Sequence, residues 1–250
     1  MTQMTGKVYL IGAGPGDTGL ITVKGLQALR EADVVMYDAL SSPELLKECK
    51  EGAELIDAGK RAADHHLRQW QTNDLLVEYA QKGKVVARLK GGDPFLFGRG
   101  AEEAEKLRKA GVEVHVIPGV TSAISVPELC GIPVTHRDHA SMVTFITGHE
   151  KGDRSEDRID WKSLVGGHGT LVILMGLENA GNISAGLVEG GMSPDMPAAI
   201  LSKGSTPDQK VYVTTVGDLE RTIREENVAT PGIMVIGTVV QLRAVLGDLA

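Results

Sequence analysis

Short apolar runs rich in β-branched residues alternate with longer amphipathic segments through the first half of the chain. The apolar runs predict five strands, at residues 8–13, 33–37, 54–58, 84–89 and 113–117. The intervening segments predict helices near residues 20–31, 43–50, 73–81 and 101–110, and a further helix follows at 121–130. Apolar strands joined by helices are typical of a parallel sheet that is covered on both faces. The first half is therefore predicted to be an α/β domain with a parallel sheet.

The second half has a different pattern. Its apolar runs predict strands at residues 142–147, 171–175, 198–201, 211–215 and 233–236, separated by only two or three helices. Thr206-Pro-Asp-Gln209 lies between two of these runs and predicts an antiparallel hairpin, which favours a mixed sheet. The polar segment 131–140 is interpreted as a connection between domains. We therefore expect an N-terminal domain over residues 1–135 and a C-terminal α/β domain over residues 136–250.

Composition narrows the class of protein. The 250 residues are 42% hydrophobic and 24% charged with a formal net charge of −7, so no overall positive field is available to hold nucleic acid. The two cysteines form no CxxC, and no GxSxG, P-loop, HExxH or metal-ligand cluster is present, which excludes the usual serine hydrolase, ATPase and zinc-enzyme motifs. No apolar run approaches the length of a membrane span. We expect a cytoplasmic protein that binds no metal, no nucleic acid and no membrane.

The stretch Arg88-Leu-Lys-Gly-Gly-Asp-Pro-Phe-Leu-Phe-Gly-Arg-Gly100 is the most informative segment. It follows a predicted strand and turns through two glycines, which lack a Cβ and let the backbone approach a ligand closely. Loops at the carboxyl ends of parallel strands are where open α/β sheets bind small molecules. The alternative is a tight strand-to-helix connection with nothing bound.

A second glycine-rich turn, Gly12-Ala-Gly-Pro-Gly-Asp17, follows the first predicted strand. The dinucleotide-binding fingerprint requires a glycine where this chain has Asp17, and Pro15 stiffens the turn. An acidic residue at a helix entrance competes with phosphate for the helix amides, so we expect Asp17 to cap the helix. A turn that lines a site for an uncharged or cationic ligand is favoured over binding of NAD or FAD.

Charged residues gather near the same predicted strand ends. Asp38 and Lys60 each follow a strand, and they are either a proton acceptor and donor or a plain surface ion pair. The basic residues are either a solvated face or anchors for a small polyanion; they are Arg61, Arg88, Lys90, Arg99, His136 and Arg137.

Met175 ends a strand, a position where methionine more often packs in a core than contacts a ligand.

Eight motifs occur in an order that resembles the tetrapyrrole methylase family, and within it the enzymes that act on uroporphyrinogen III. The motifs are Gly12-Ala-Gly-Pro-Gly-Asp17, Val35-Met-Tyr-Asp38, Gly59-Lys-Arg61, Arg88 to Gly100, Pro118-Gly-Val-Thr-Ser-Ala123, Gly131-Ile-Pro-Val-Thr-His-Arg137, Thr147-Gly-His149 and Leu174-Met-Gly176. They span nearly the whole chain. The most discriminating is Gly91-Gly-Asp-Pro-Phe-Leu-Phe-Gly-Arg-Gly100, because relatives with other substrates resemble it only around Gly-Asp-Pro.

The resemblance implies an S-adenosylmethionine-dependent enzyme that methylates uroporphyrinogen III at C2 and C7 to give precorrin-2. It also implies two α/β domains with the cofactor in the cleft between them, a homodimer, and no metal. Three alternatives remain: a methylase of a later precorrin, a non-catalytic module that senses a tetrapyrrole or cofactor, and, more remotely, an NAD-dependent oxidoreductase.

The resemblance also implies roles for individual residues. Asp38 is the expected proton acceptor and Lys60 the expected donor. The expected S-adenosylmethionine site consists of Pro15, Gly91, Gly92, Asp93, Leu96, Thr121, Ser122, Met175 and Gly204, with Asp93 bonding either the ribose hydroxyls or the ammonium group. The expected substrate-binding residues are Leu40, Arg61, Phe97, Arg99, His136 and Arg137.

Overall fold

The computed structural model describes residues 6–38, 43–59, 69–148, 159–167 and 169–250. The predicted residues Leu40, Lys60 and Arg61 lie outside these ranges. The chain divides between Ser122 and Ala123 into two units, each with its own sheet. No helix in the described ranges is long and apolar enough to cross a membrane.

The first unit contains a five-stranded parallel sheet in the order β3-β2-β4-β1-β5. Its strands are β1 (Lys7–Gly12), β2 (Val34–Tyr37), β3 (Glu54–Asp57), β4 (Val86–Lys90) and β5 (Glu113–Ile117). Its helices are α1 (Val23–Glu31), α2 (Gln69–Gln81) and α3 (Gly100–Lys109), with 3₁₀ helices at Thr18–Leu20 and Pro43–Glu48. α4 (Ser122–Leu129) follows at the division between the units.

Alternate residues of each central strand face opposite layers of helices. Val34 and Met36 of β2 pack with Val86 of β4 in a core that includes Leu76 of α2 and Leu107 of α3. The intervening residues pack on the other side, with α1 and the 3₁₀ helix at Pro43–Glu48. The parallel sheet is thus covered on both faces, and alternate residues of a strand pack against different layers of helices.

The second unit contains a five-stranded mixed sheet in the order β6-β7-β10-β8-β9. Its strands are β6 (Val143–Thr147), β7 (Thr170–Leu174), β8 (Pro197–Ser202), β9 (Lys210–Thr215) and β10 (Gly232–Ile236). Only β6 and β7 pair in parallel; the other three pairs are antiparallel. The helices are α5 (Trp161–Val165), α6 (Ala180–Glu189), α7 (Leu219–Glu225) and α8 (Arg243–Leu246), with 3₁₀ helices at Leu177–Asn179, Val216–Asp218 and Thr238–Leu242.

The predicted fold class is confirmed, and so is the antiparallel hairpin, which joins β8 to β9. Local differences have local causes. The segment 43–50 was predicted as a helix and forms a 3₁₀ helix instead. α1 begins at Val23 rather than near residue 20, because the Thr22 hydroxyl caps it by accepting a hydrogen bond from the Gly25 N–H at 3.0 Å. β4 begins at Val86, because the Val85 N–H bonds to the Asp33 carboxylate instead of a neighbouring strand.

Candidate functional site

Three glycine loops meet at the carboxyl edge of the parallel sheet. Gly14, after β1, and Gly92, after β4, exchange two backbone hydrogen bonds of 3.2 and 2.7 Å. Gly119, after β5, lies so close that a Cβ on Gly12 would come within 2.4 Å of its Cα. A side chain at Gly12 or Gly119 would push these loops apart. These two glycines are therefore needed for the approach of one backbone to another.

The loop after β4 is organised by the carboxylate of Asp93. Its Oδ1 atom accepts hydrogen bonds from the N–H groups of Phe95 and Leu96, at 2.9 and 3.1 Å. Its Oδ2 atom accepts from the Gly119 N–H at 3.2 Å, which ties the β4 loop to the β5 loop. Asp93 was predicted to bond the cofactor, and the structure adds a role in shaping the loop. Carboxylate oxygens accept more than one hydrogen bond, so the two roles are compatible.

Left-handed backbone conformations concentrate at the predicted site residues. Phe97 and Arg99 have φ of 54° and 60°, and Met175 has φ of 55°. Lys203 and Ser205, on either side of Gly204, have φ of 47° and 63°. Such conformations cost non-glycine residues free energy and are found most often at functional sites. Met175 is 53% exposed, so the structure does not place it in a core.

Four charged side chains, three from the sheet and one from α3, come together on the face of the sheet covered by α2 and α3. Arg88 and Lys90 continue the series begun by Val86 on β4, and Asp38 continues the series of Val34 and Met36 on β2. Glu103 lies on the core-facing stripe of α3 with Gly100 and Leu107. The sequence thus puts two cations and two carboxylates on one side of one sheet edge.

These four residues, Asp38, Arg88, Lys90 and Glu103, form a network that we call the charge cluster. The Arg88 guanidinium bonds to Asp38 Oδ1 and, through Nε at 3.2 Å, to Glu103 Oε1. The Lys90 ammonium lies 3.1 Å from Glu103 Oε1 and 3.8 Å from Asp38 Oδ2. Gln69 of α2 donates to the same Glu103 oxygen at 3.0 Å. Two positive and two negative charges balance in the cluster.

Burial within the cluster is uneven. The side chain of Glu103 is 0% exposed and those of Arg88 and Lys90 are 4% exposed, whereas that of Asp38 is 29% exposed. Burial lowers the pKa of Lys90, the nearby Arg88 charge lowers it further, and the two carboxylates only partly offset this. For Arg88, burial also opposes the charge, but Glu103 and Asp38 outweigh it and raise the pKa. Asp38 is the member of the cluster that a substrate is able to reach.

The position of the basic residues corrects one interpretation. Arg88 and Lys90 were considered either solvated or anchors for a polyanion, and the structure shows neither, because both are buried side chains of β4 in ion pairs. Arg99 is exposed and forms a two-pronged pair with Glu102, whose hydrogen bonds raise the Arg99 pKa. In the second unit His136 is partly exposed, its Nδ1 accepts from the Asp138 N–H, and Arg137 is exposed.

The predicted cofactor residues fall into two groups. Those in the first unit lie on the glycine loops or directly after β5, and they are Pro15, Gly91, Gly92, Asp93, Leu96, Thr121 and Ser122. In the second unit Met175 follows β7 and Gly204 lies between β8 and β9. A Cβ on Gly204 would lie 2.1 Å from a methyl carbon of Val126, so this position accepts only glycine without a shift. Asp17, as predicted, caps a helix: its carboxylate accepts from the Gly19 N–H at 2.7 Å.

Sequence reasoning missed Glu103. Two signals were present in the sequence: the residues at 100, 103 and 107 form one stripe of α3, and β4 carries Arg and Lys at alternate positions of an otherwise apolar strand. A carboxylate on a helix stripe that faces a strand with two buried cations is the partner that those cations require. No group of residues capable of holding a metal ion is found in the described ranges.

A family model for tetrapyrrole (corrin/porphyrin) methylases matches residues 7–220. The chain belongs to the tetrapyrrole methylase family. The match runs from β1 to α7 and so covers both sheets of the methylase except β10.

Related methylases align over nearly the whole chain. The uroporphyrinogen-III C-methyltransferase of Methanocaldococcus jannaschii is 50% identical over 240 residues, which is 96% of this chain and 98% of that protein. The S-adenosyl-L-methionine-dependent uroporphyrinogen III methyltransferase of Methanosarcina barkeri is 46% identical, covering 99% and 97%. The crystal structure of the Thermus thermophilus uroporphyrin-III C-methyl transferase complexed with S-adenyl homocysteine superposes with a TM-score of 0.81 at 33% identity, covering 98% and 99%.

Proposed function

We propose that this methylase transfers methyl groups from S-adenosylmethionine to C2 and C7 of uroporphyrinogen III and forms precorrin-2. The observation that carries the proposal is the 50% identity, over almost the full length of both chains, to a uroporphyrinogen-III C-methyltransferase. The partly exposed carboxylate of Asp38, at the same edge of the sheet as the glycine loops, supplies the chemistry that this reaction needs from the protein.

The residues of the first unit fit the cofactor. Gly92 has φ of 65°, and a Cβ added there would find no atom closer than 3.7 Å, so the backbone leaves room for a ligand beside it. The nearest atoms to this space are backbone atoms of Ser122 and Thr121, which suits contacts through backbone groups. When bound, S-adenosylmethionine supplies an electrophilic methyl group. With the cofactor bound, the role of the loops would be to keep the substrate carbon close to that methyl group and to exclude water, and such positioning is the main source of rate in a transfer of this kind.

Asp38 is the proposed proton acceptor. After methylation the substrate ring is cationic and must lose a proton, and an ionised carboxylate accepts it. Arg88 binds one oxygen of Asp38 and Lys90 faces the other. These contacts hold the carboxylate at the edge of the sheet. Lys60 is retained as the proposed donor.

The substrate carries eight carboxylates, so exposed cations and aromatic rings near the glycine loops are the proposed substrate contacts. Arg99 presents a guanidinium that is already aligned by Glu102, and Phe97 presents a ring that is 37% exposed. His136, Arg137, Leu40 and Arg61 complete the proposed set, and Met175 and Gly204 remain proposed cofactor residues. We further propose that the methylase acts in the cytoplasm as a homodimer; light scattering after size exclusion tests the dimer.

The decisive experiment is an anaerobic incubation with S-adenosylmethionine and freshly made uroporphyrinogen III, followed by mass analysis of the oxidised product. We expect a gain of two methyl groups, and no gain without the cofactor. Calorimetry with S-adenosylhomocysteine runs in parallel. No gain in mass combined with tight binding would refute uroporphyrinogen III as the substrate and direct the test to later precorrins. Absence of both would refute the methyltransferase itself.

A further inference from the structure

Three members of the charge cluster are too deeply buried to touch a substrate. Glu103 is 0% exposed and Arg88 and Lys90 are 3% exposed, so none of them is a catalytic residue in the sense of contacting reacting atoms. Burying these three ionised groups carries a large desolvation cost, and an apolar set of similar volume would fill the same space without it. A structural role alone therefore does not account for the cluster.

The contacts of the three buried residues connect them to Asp38, the partly exposed member of the cluster. The Oε1 atom of Glu103 accepts hydrogen bonds from the side chains of Arg88, Lys90 and Gln69. Arg88 also donates to the carbonyl oxygens of Met36 and Leu89, at 3.4 and 3.3 Å, so its guanidinium is fixed on several sides. Its remaining nitrogen binds Asp38. Within the described residues, the second carboxylate oxygen of Glu103 has no hydrogen-bond partner, so all three contacts of this carboxyl group go through Oε1.

We propose that Glu103 and Lys90 are positioning residues that hold Arg88 and, with it, the carboxylate of Asp38 in the orientation that proton transfer requires. The proposal rests on the proposed function in that Asp38 is the proton acceptor there. It adds two residues to the site, and both act without contact to substrate or cofactor.

The two residues hold Asp38 through different contacts. Lys90 lies 3.8 Å from Asp38 Oδ2 and 3.1 Å from Glu103 Oε1. Glu103 acts through Arg88, since it binds the Nε atom of the guanidinium whose other end binds Asp38. The charged groups of the described residues in the cluster around Asp38 are Arg88 and Lys90 from β4 and Glu103 from α3; α2 contributes the neutral Gln69. Loss of Glu103 or Lys90 therefore releases groups that fix the Asp38 carboxylate and leaves that carboxylate itself in place.

The test measures whether Glu103 and Lys90 act through Asp38. We expect Glu103→Gln and Lys90→Met each to lower kcat by about tenfold or more, while the KM for the cofactor and the affinity for S-adenosylhomocysteine stay within about twofold. In the Asp38→Asn background neither substitution should lower kcat further, because the side chain that they position no longer accepts a proton. Glu105→Gln is the matched control, because Glu105 lies on the same helix but is exposed and pairs with Lys109.

Rescue by a conservative variant provides the second measurement. Lys90→Arg keeps the positive charge at this position and should recover part of the kcat that Lys90→Met loses. A buried residue with only a structural role would lower the melting temperature and would lower kcat by the same factor in the unaltered protein and in the Asp38→Asn background.

The outcomes separate the two proposals. An unchanged kcat in both single variants, or a loss of the same size in the Asp38→Asn background, overturns the positioning role even if the methylase is active. If the unaltered protein does not methylate uroporphyrinogen III, the proposed function is refuted, and the same variants are measured with the later precorrin that the methylase accepts. If Glu103→Gln does not fold, Lys90→Met decides, since an unchanged kcat in that variant contradicts the positioning role.

Discussion

At the scale of single residues, the site depends on which charges are buried and which are exposed. Arg88, Lys90 and Glu103 are withdrawn from water, whereas Asp38 and Arg99 are accessible. A charge without a partner in the interior is costly, so substitutions in the charge cluster are expected to affect folding and chemistry together. Substitutions at exposed positions affect binding with little change in stability.

Asp38→Asn keeps the shape of the side chain but removes its negative charge and its ability to accept a proton. We expect kcat to fall by at least about a hundredfold, because a positioned base contributes that much to such a step. Affinity for S-adenosylmethionine, measured by calorimetry, should remain nearly unchanged. The melting temperature should drop, because Arg88 and Lys90 keep only one buried counter-charge. A large loss of cofactor affinity would contradict the assigned role.

Arg99→Ala removes an exposed guanidinium whose partner, Glu102, is also exposed. We expect the KM for uroporphyrinogen III to rise by about tenfold or more, and the KM for the cofactor to change much less, because only the substrate carries several carboxylates. Arg99→Lys should recover part of the loss. Steady-state kinetics measure both KM values. A larger rise in the KM for the cofactor than in the KM for uroporphyrinogen III would assign Arg99 to the cofactor site.

At the scale of elements, glycine loops shape the edge of the parallel sheet. Two of the glycines, Gly12 and Gly119, are there because backbones touch, with room for no Cβ at all. Gly92 differs: its need for glycine comes from φ of 65°, while the space beside it is open. A side chain at Gly12 or Gly119 would therefore clash with neighbouring backbone, whereas a side chain at Gly92 would have space but would require an unfavourable φ angle.

Gly92→Ala separates backbone strain from ligand contact when it is compared with Gly52→Ala. Both glycines are left-handed, with φ of 65° and 79°, and Gly52 lies on an exposed turn with nothing within 4 Å of an added Cβ. Each variant should lose about 1–2 kcal/mol of stability from the unfavourable φ. Only Gly92→Ala should lose affinity for S-adenosylhomocysteine, by more than about tenfold. Equal affinities by calorimetry would place the cofactor away from this loop.

At the scale of the whole molecule, two units with their own sheets each bury a separate core. The second unit holds Cys130, which is fully buried. Burial raises the pKa of its thiol to about 11, with Arg243 opposing and Asp248 adding to the shift. An unfolded chain ionises cysteine near pH 8.5.

This difference predicts a loss of stability in alkali. The folded pKa of Cys130 is the higher one, so the contribution to stability is complete below about pH 8.5 and is lost as the pH rises toward 11. We expect the free energy of unfolding to fall between pH 8 and pH 10.5 by about 2 kcal/mol more in the unaltered protein than in Cys130→Ala. Urea titrations at several pH values measure this, and parallel curves for the two proteins would show that the thiol does not contribute.

The periodicity of the sequence determined both sheets, because apolar strands and amphipathic helices must bury the faces that their patterns create. It also determined that Asp38 and the glycine loops follow strand ends and that Arg99 lies in the segment between β4 and α3, since motifs and strand boundaries are local. The roles assigned to these residues, and the division into domains at residue 135, stay predictions. Only the tertiary structure decided that Arg88 and Lys90 are buried and that Glu103 joins them. That pairing links β2, β4 and α3, which are far apart in the chain. It exists because alternate positions on two neighbouring strands place Asp38, Arg88 and Lys90 on the sheet face that packs against the buried stripe of α3.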